Sequence, residues 1–182
     1  MNTLNTFWEI EDGGVRGDAI DGVDQLAAGK HAEIRTPDGQ RIPVTVTNWD
    51  LQIRTAEPEK INLFCMYALR WDENAPQIDP KLLEFGESTL IFTDPNKFQE
   101  RLYDAARKLN RNMQANLVIY VPNDYVGEIG LFRKRQSYAY QSEWRLALFD
   151  GLGNPIKLEL GDLTDISILI PTSELKNAIQ HP

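Results

Sequence analysis

Gln141, Glu143 and Arg145 occupy every second position of YAYQSEWRLALF, Tyr138–Phe149. On an extended strand successive side chains alternate faces, which would set an amide, a carboxylate and a guanidinium in a row roughly 7 Å apart. The opposite face would carry Tyr138, Tyr140, Ser142, Trp144, Leu146 and Leu148, aromatic and apolar enough to enter a core. The strand's far end, Ala147 to Phe149, reads as buried on both faces. Polar groups at the end of a rigid core strand are well held for binding or catalysis. The plainer reading is a solvated Glu143–Arg145 ion pair of small energetic consequence. Both readings stay open at this point.

Other familiar chemistry is missing from the sequence. There are two histidines, His31 and His181, and no Cys/His cluster with zinc-ligand spacing. No phosphate-binding G-x-x-x-x-G-K-[ST] loop, dinucleotide G-x-G-x-x-G or G-x-S-x-G elbow occurs. Cys65, the single cysteine, sits among Leu63, Phe64, Met66 and Tyr67 and reads as a buried structural thiol. Asp18, Asp21 and Glu143 are an oxygen set that magnesium could use in a nuclease, the weakest of three chemical readings.

The elements that must position these residues form an irregular series. Glu11–Lys30 is rich in Gly and Asp and reads as loop, with a short helix over Val23–Ala28. Pro37-Asp38-Gly39 separates two alternating stretches and predicts a hairpin, which Leu51–Thr55 would extend. Ile61–Trp71 and Ser88–Thr93 read as strands with loop between them. Asp94 as N-cap and Pro95 at the first position open a helix, with Phe98, Leu102, Ala105, Ala106 and Leu109 on one face. Further strands are predicted over 115–121, 126–132, 138–149, 155–160 and 166–170. Thr172 would cap a last short helix. About 8–10 strands with 2–3 helices, not alternating strictly, predict an α+β fold with a largely antiparallel or mixed β core, a single compact domain over residues 1–182.

The 182-residue chain has a formal net charge of −8. That balance argues against general nucleic-acid binding. The charge is uneven: residues 1–60 hold 11 acids and 6 bases, whereas residues 101–145 hold 8 bases and 4 acids. The basic excess lies beside the Gln141–Arg145 stretch and suits an anionic ligand. Apolar runs are too short for a membrane span, and MNTLNTFWEIEDGG has no secretory pattern. One cysteine permits no internal disulfide, so a cytoplasmic location is the default expectation.

Phe132–Arg145, read as F-R-K-x-x-x-Y-x-Y-Q-x-E-W-R, resembles the C-terminal signature of a bacterial and phage family of unknown function, usually K-x-x-x-Y-x-Y-E-x-E-W-R. Arg16–Gly22, R-G-D-A-I-D-G, resembles that family's N-terminal R-x-D-P-x-E-G, with Ala19 for Pro and Asp21 for Glu. INLFCMYAL and LIFTDPNKFQERL resemble its intervening strand and strand-to-helix segments. A looser similarity is to ADP-ribosyltransferases of the R-S-E type. Arg16, Ser88-Thr89 and Gln141-Ser142-Glu143 follow the order of that family's arginine, Ser-Thr-Ser strand and [E/Q]-x-E motif, although Leu90 replaces the second serine.

This second resemblance implies NAD as a substrate rather than a resident cofactor. Arg16 would clamp its pyrophosphate, Ser88 and Arg145 would line the substrate site, and Tyr138 or Tyr140 would stack on nicotinamide. Glu143 would stabilise oxocarbenium character at the ribose, and Gln141 would orient the acceptor. The alternative is a non-enzymatic binding or regulatory protein that grips a protein partner or a nucleotide-like ligand.

Overall fold

The computed structural model describes residues 1–10, 17–44, 48–70 and 78–179. In chain order its strands are β1 (Asn2–Thr3), β2 (Val23–Gly29), β3 (Glu33–Arg35), β4 (Arg41–Pro43), β5 (Trp49–Arg54), β6 (Asn62–Tyr67), β7 (Ser88–Phe92), β8 (Met113–Leu117), β9 (Ile119–Val121), β10 (Gly127–Glu128), β11 (Arg133–Arg135), β12 (Glu143–Leu148) and β13 (Ser167–Pro171). The α-helices are α1 (Leu4–Trp8), α2 (Pro95–Arg107) and α3 (Leu175–Ala178), joined by several short 3-10 turns. The fold is α+β. Its strands are shorter and more numerous than expected, and they form several small sheets. All described pairings are antiparallel except β9–β11.

Strand β12 organises the molecule. It lies inside a four-stranded sheet of order β1-β6-β12-β8, and all six of its residues are buried. Trp144, Leu146 and Leu148 project from one face into a cluster with Phe98, Leu102 and Ala106 of α2 and with Ile166. Phe92 stacks on Phe98 in the same cluster, ring centroids 3.8 Å apart. On the other face Ala147 packs with Leu4 and Leu63. Glu143 and Arg145 share that face by strand alternation. The sheet therefore has an apolar side under α2 and a side whose apolar half gives way to charge.

Helix α2 forms as its sequence prescribes. The Asp94 carboxylate accepts from the Lys97 N–H at 3.0 Å, and Pro95 stands in the first turn. Phe98, Leu102, Ala105 and Ala106 are buried, but Leu109 lies past the helix end and is exposed. The hairpin predicted at Pro37-Asp38-Gly39 is β3–β4.

Other expectations need correction. Val23–Ala28 is strand β2 rather than a helix, because its backbone is claimed by β5 and β10 on either side. Strand β5 joins that sheet instead of extending the hairpin. Residues 115–121 are divided at Val118 into β8 and β9, residues 126–132 are mostly turn, and residues 155–160 form no strand. Thr172 caps nothing; it sits inside a 3-10 turn, buried, with its hydroxyl 2.9 Å from that of Thr89. Trp71, His181, residues 72–77 of the loop expected over 72–87 and the end of the last predicted helix at Gln180 lie outside the described residues, and the rest of that loop holds a 3-10 turn over Pro80–Phe85.

Candidate functional site

Five segments meet at one buried place, three of them bringing charged side chains. The first is the tight turn Asp18–Gly22. Asp21 N–H donates to the Asp18 carbonyl at 3.0 Å, and Ile20 N–H donates to Asp18 Oδ1 at 3.0 Å. Gly22 closes the turn at φ +64°, where an added Cβ would stand 2.7 Å from Leu4 Cδ1. Trp8 Nε1 donates to the Asp21 carbonyl, so α1 fixes the turn from outside. The turn thereby sends the Asp21 carboxylate inward.

The other segments are Leu131, β11, the 3-10 turn Gln136–Gln141 and β12. Tyr138, Tyr140 and Gln141 stand on the turn, not on a strand. The expected continuous strand from Tyr138 is thus corrected: it begins only at Glu143. Between the two elements Ser142 adopts a left-handed conformation, φ 39° and ψ 52°. A non-glycine residue there costs about 1–2 kcal/mol. Hydrogen bonds to one partner hold it: Ala68 N–H donates to the Ser142 carbonyl at 2.7 Å, and Ser142 Oγ donates to the Ala68 carbonyl at 2.8 Å.

This reversal brings Gln141 and Glu143 closer than a strand would allow. Lys134 Nζ donates to Gln141 Oε1 at 2.7 Å and to Glu143 Oε1 at 2.8 Å. Arg145 Nε donates to Glu143 Oε2 at 2.6 Å. Its two terminal nitrogens grip Asp21 bidentately at 2.6 and 2.7 Å, and one of them also reaches the Leu131 carbonyl at 2.7 Å. Four of its five N–H groups are thus committed inside the protein. Lys134 Nζ also lies 3.5 Å from Asp21 Oδ2. Arg145 is 1% exposed and Lys134 2%.

The electrostatics follow from this pairing. Burial alone would raise the Asp21 pKa, but Arg145 and Lys134 more than offset it and hold the carboxyl below the usual range. Burial opposes the charge of Lys134 too, yet Asp21 and Glu143 raise it above an ordinary lysine. Arg145 is likewise raised despite burial, chiefly by Asp21. Asp18 differs: burial raises its pKa, and its Oδ2 is a buried oxygen with no hydrogen-bond partner among the described residues. Burial pushes the Cys65 thiol, opposite Arg145 on β6, up to about 12.

The tyrosines rim the cluster. Tyr138 and Tyr140 are half-buried, with ring centroids 6.5 Å apart. Lys134 Nζ lies 5.4 Å from the Tyr138 ring and Lys81 Nζ 4.7 Å from the Tyr140 ring, both within cation–π range. Tyr138 donates to the Gly17 carbonyl at 3.1 Å. Tyr120 Oη accepts the Glu143 backbone N–H at 2.9 Å, and burial raises its pKa.

Of the residues expected to form a site, Gln141, Glu143, Arg145, Tyr138 and Tyr140 stand in or beside this cluster. Ser88 is exposed at the start of β7, opposite Pro171 in the separate β7–β13 ribbon. Among the described residues no hydrogen bond joins it to the Glu143 group. Arg16 lies outside the described residues. The sequence pattern assigns no site role to Lys134, although it is the lysine of the quoted signature, and marks Asp18 and Asp21 only as members of the Arg16–Gly22 motif and as candidate metal ligands. Among the described residues no group of three or more His, Cys, Asp or Glu is placed to hold a metal ion. Asp21 and Glu143 instead face the cationic nitrogens of Arg145 and Lys134. Among the described residues, too, no helix is long and apolar enough to cross a membrane.

No protein-family model, curated protein or solved structure matches the chain. The chemistry of the cluster must therefore speak for itself. It offers a fixed carboxylate and amide meeting at one ammonium, at the edge of two tyrosine rings. A carboxylate has about four lone-pair directions. The two cations use one contact on each Glu143 oxygen, which leaves capacity for a hydroxyl of a ligand.

Proposed function

We propose that the protein cleaves the nicotinamide–ribose bond of NAD and passes the ADP-ribosyl group to an acceptor or to water. The observation that carries this reading is the convergence of Gln141 and Glu143 on Lys134 Nζ, at 2.7 and 2.8 Å. Glycosidic cleavage builds positive charge on the ribose, and a preorganised carboxylate stabilises it. Glu143 fills that role. Gln141 orients the acceptor, and Tyr138 and Tyr140 supply aromatic faces for nicotinamide. Arg145, engaged with Asp21 and Glu143, acts as a positioning residue that sets the carboxylate's orientation.

The test follows nicotinamide release from NAD by the wild type and by Glu143→Gln, each assayed well below its own melting temperature. The wild type should release nicotinamide. The variant should lose about 10²–10³-fold in rate, as removal of one preorganised electrostatic group typically costs. A wild type that neither releases nicotinamide nor shows a thermal shift with NAD would sink the proposal.

A second reading is favoured by the engagement of both Glu143 oxygens. In it the cluster is a structural bolt in a non-enzymatic protein that binds a partner or a nucleotide-like ligand. Glu143→Gln would then lower the melting temperature without changing ligand affinity measured below the transition.

A further inference from the structure

Asp18 is the one carboxyl of the buried cluster that the geometry leaves unspent. It is 4% exposed. Its Oδ1 takes the Ile20 N–H at 3.0 Å, whereas Oδ2 has no hydrogen-bond partner among the described residues. The charged groups acting on it are Asp21 on its own turn, Lys134 from β11 and Arg145 from β12. Those two cations are already matched by Asp21 and Glu143, at 2.6 to 2.8 Å. A third carboxylate would leave the cluster with one uncompensated negative charge out of water. The cluster is neutral when Asp18 carries a proton. A buried, unmatched carboxyl takes that course rather than ionising.

We infer that Asp18 is the acid–base group of the site, resting as a neutral acid whose ionised form accepts the proton of the incoming acceptor. The inference rests on the NAD reading above. In the step, an acceptor hydroxyl or water oxygen bonds to the ribose anomeric carbon as the bond to the nicotinamide nitrogen breaks. The bonding pair leaves with nicotinamide, and the acceptor's proton passes to Asp18. Glu143, paired with Lys134 and Arg145, stays anionic throughout. Two carboxyls pushed apart in proton affinity by their surroundings thus divide the electrostatic and proton-transfer roles.

The experiment has two arms on the full-length protein. The first titrates the Asp18 side-chain carboxyl by carbon-13 NMR in the wild type, with Asp18→Asn identifying the resonance. The second measures the pH profile of nicotinamide release. Expected are an Asp18 pKa above the ordinary aspartate range, a rate that rises with pH through that same value, and an Asn variant about 10²–10⁴-fold slower, with the rising limb gone. The amide mimics the neutral acid, so the variant should keep the wild-type fold and NAD binding.

An ordinary Asp18 titration overturns the inference. So does a variant with unchanged rate and profile while the wild type turns over; that result leaves the NAD reading standing. A wild type that neither binds nor cleaves NAD brings down the NAD reading, and the proton-transfer role of Asp18 with it, whatever the titration shows.

Discussion

Replacing Arg145 by Met tests the cluster most directly. Met fills much of the aliphatic stem's volume but removes four hydrogen bonds, those to Asp21, Glu143 and the Leu131 carbonyl. Glu143 retains Lys134 at 2.8 Å, but among the described residues Asp21 is left with only the 3.5 Å contact to that same ammonium. Deleting one partner of a buried ion pair costs about 3–5 kcal/mol, because the remaining charge is stranded. In a chain of this size each kcal/mol lowers Tm by about 2–4 °C, so the loss should be on the order of 6–20 °C. Calorimetry and urea unfolding measure it. The double variant Arg145→Met, Asp21→Leu leaves Lys134 and Glu143 as a one-to-one pair and should melt above Arg145→Met alone. The pH dependence has a definite sign. Asp21 has a depressed folded pKa, so its contribution is complete above the unfolded carboxylate value, roughly 4, and is lost as pH falls through the folded value. The gap between wild type and Arg145→Met should therefore narrow in acid. A cost below about 1 kcal/mol, or a double variant as unstable as the sum of its parts, would refute the reasoning.

Three further outcomes are expected. Gly22→Ala forces φ +64° on a β-carbon that would lie 2.7 and 2.8 Å from the two Leu4 methyls, so it should cost roughly 2–5 kcal/mol by urea unfolding. A melting curve matching the wild type would show that the turn relaxes freely. Phe98→Ala removes a ring stacked on Phe92 and buried against Trp144 and Leu146, and should cost about 3–5 kcal/mol. The Cys65 thiol, half-buried and with its pKa pushed up to about 12, should label with a disulfide reagent at pH 8 far more slowly in the native protein than in denaturant. Fast labelling of the native protein would contradict its placement beneath the cluster.

What the sequence discloses and what it conceals have separate physical causes. Helix α2 was legible because Asp94, Pro95 and the Phe98–Ala106 stripe state its start and its buried face locally. The β3–β4 hairpin was legible because Pro37-Asp38-Gly39 specifies its own turn. Alternation correctly set Glu143 and Arg145 apart from Trp144, Leu146 and Leu148. It failed one residue earlier, at Ser142, whose left-handed backbone is sustained by hydrogen bonds to Ala68. No local pattern announces that partner, so Tyr138 and Tyr140 were assigned to a core face and stand instead on a 3-10 turn. The same limit concealed β2, whose strand state is imposed by β5 and β10.

The charged cluster shows why its membership was harder to read than its centre. Arg145 reaches Asp21 across 124 residues of sequence, and Lys134 arrives on a strand paired with β9. Periodicity can say that Arg145 shares a face with Glu143; it cannot say what lies opposite. Burial itself supplies the missing constraint. Arg145 and Lys134 lie almost wholly out of water, and charges so placed require partners of opposite sign at hydrogen-bond distance. Once β12 is known to be central, Arg145 demands more than the adjacent Glu143 can give. The acidic turn at Asp18–Asp21 meets that demand with one carboxylate more than the two cations need. The excess is what singles out Asp18: a residue present only to neutralise charge would stop at Asp21.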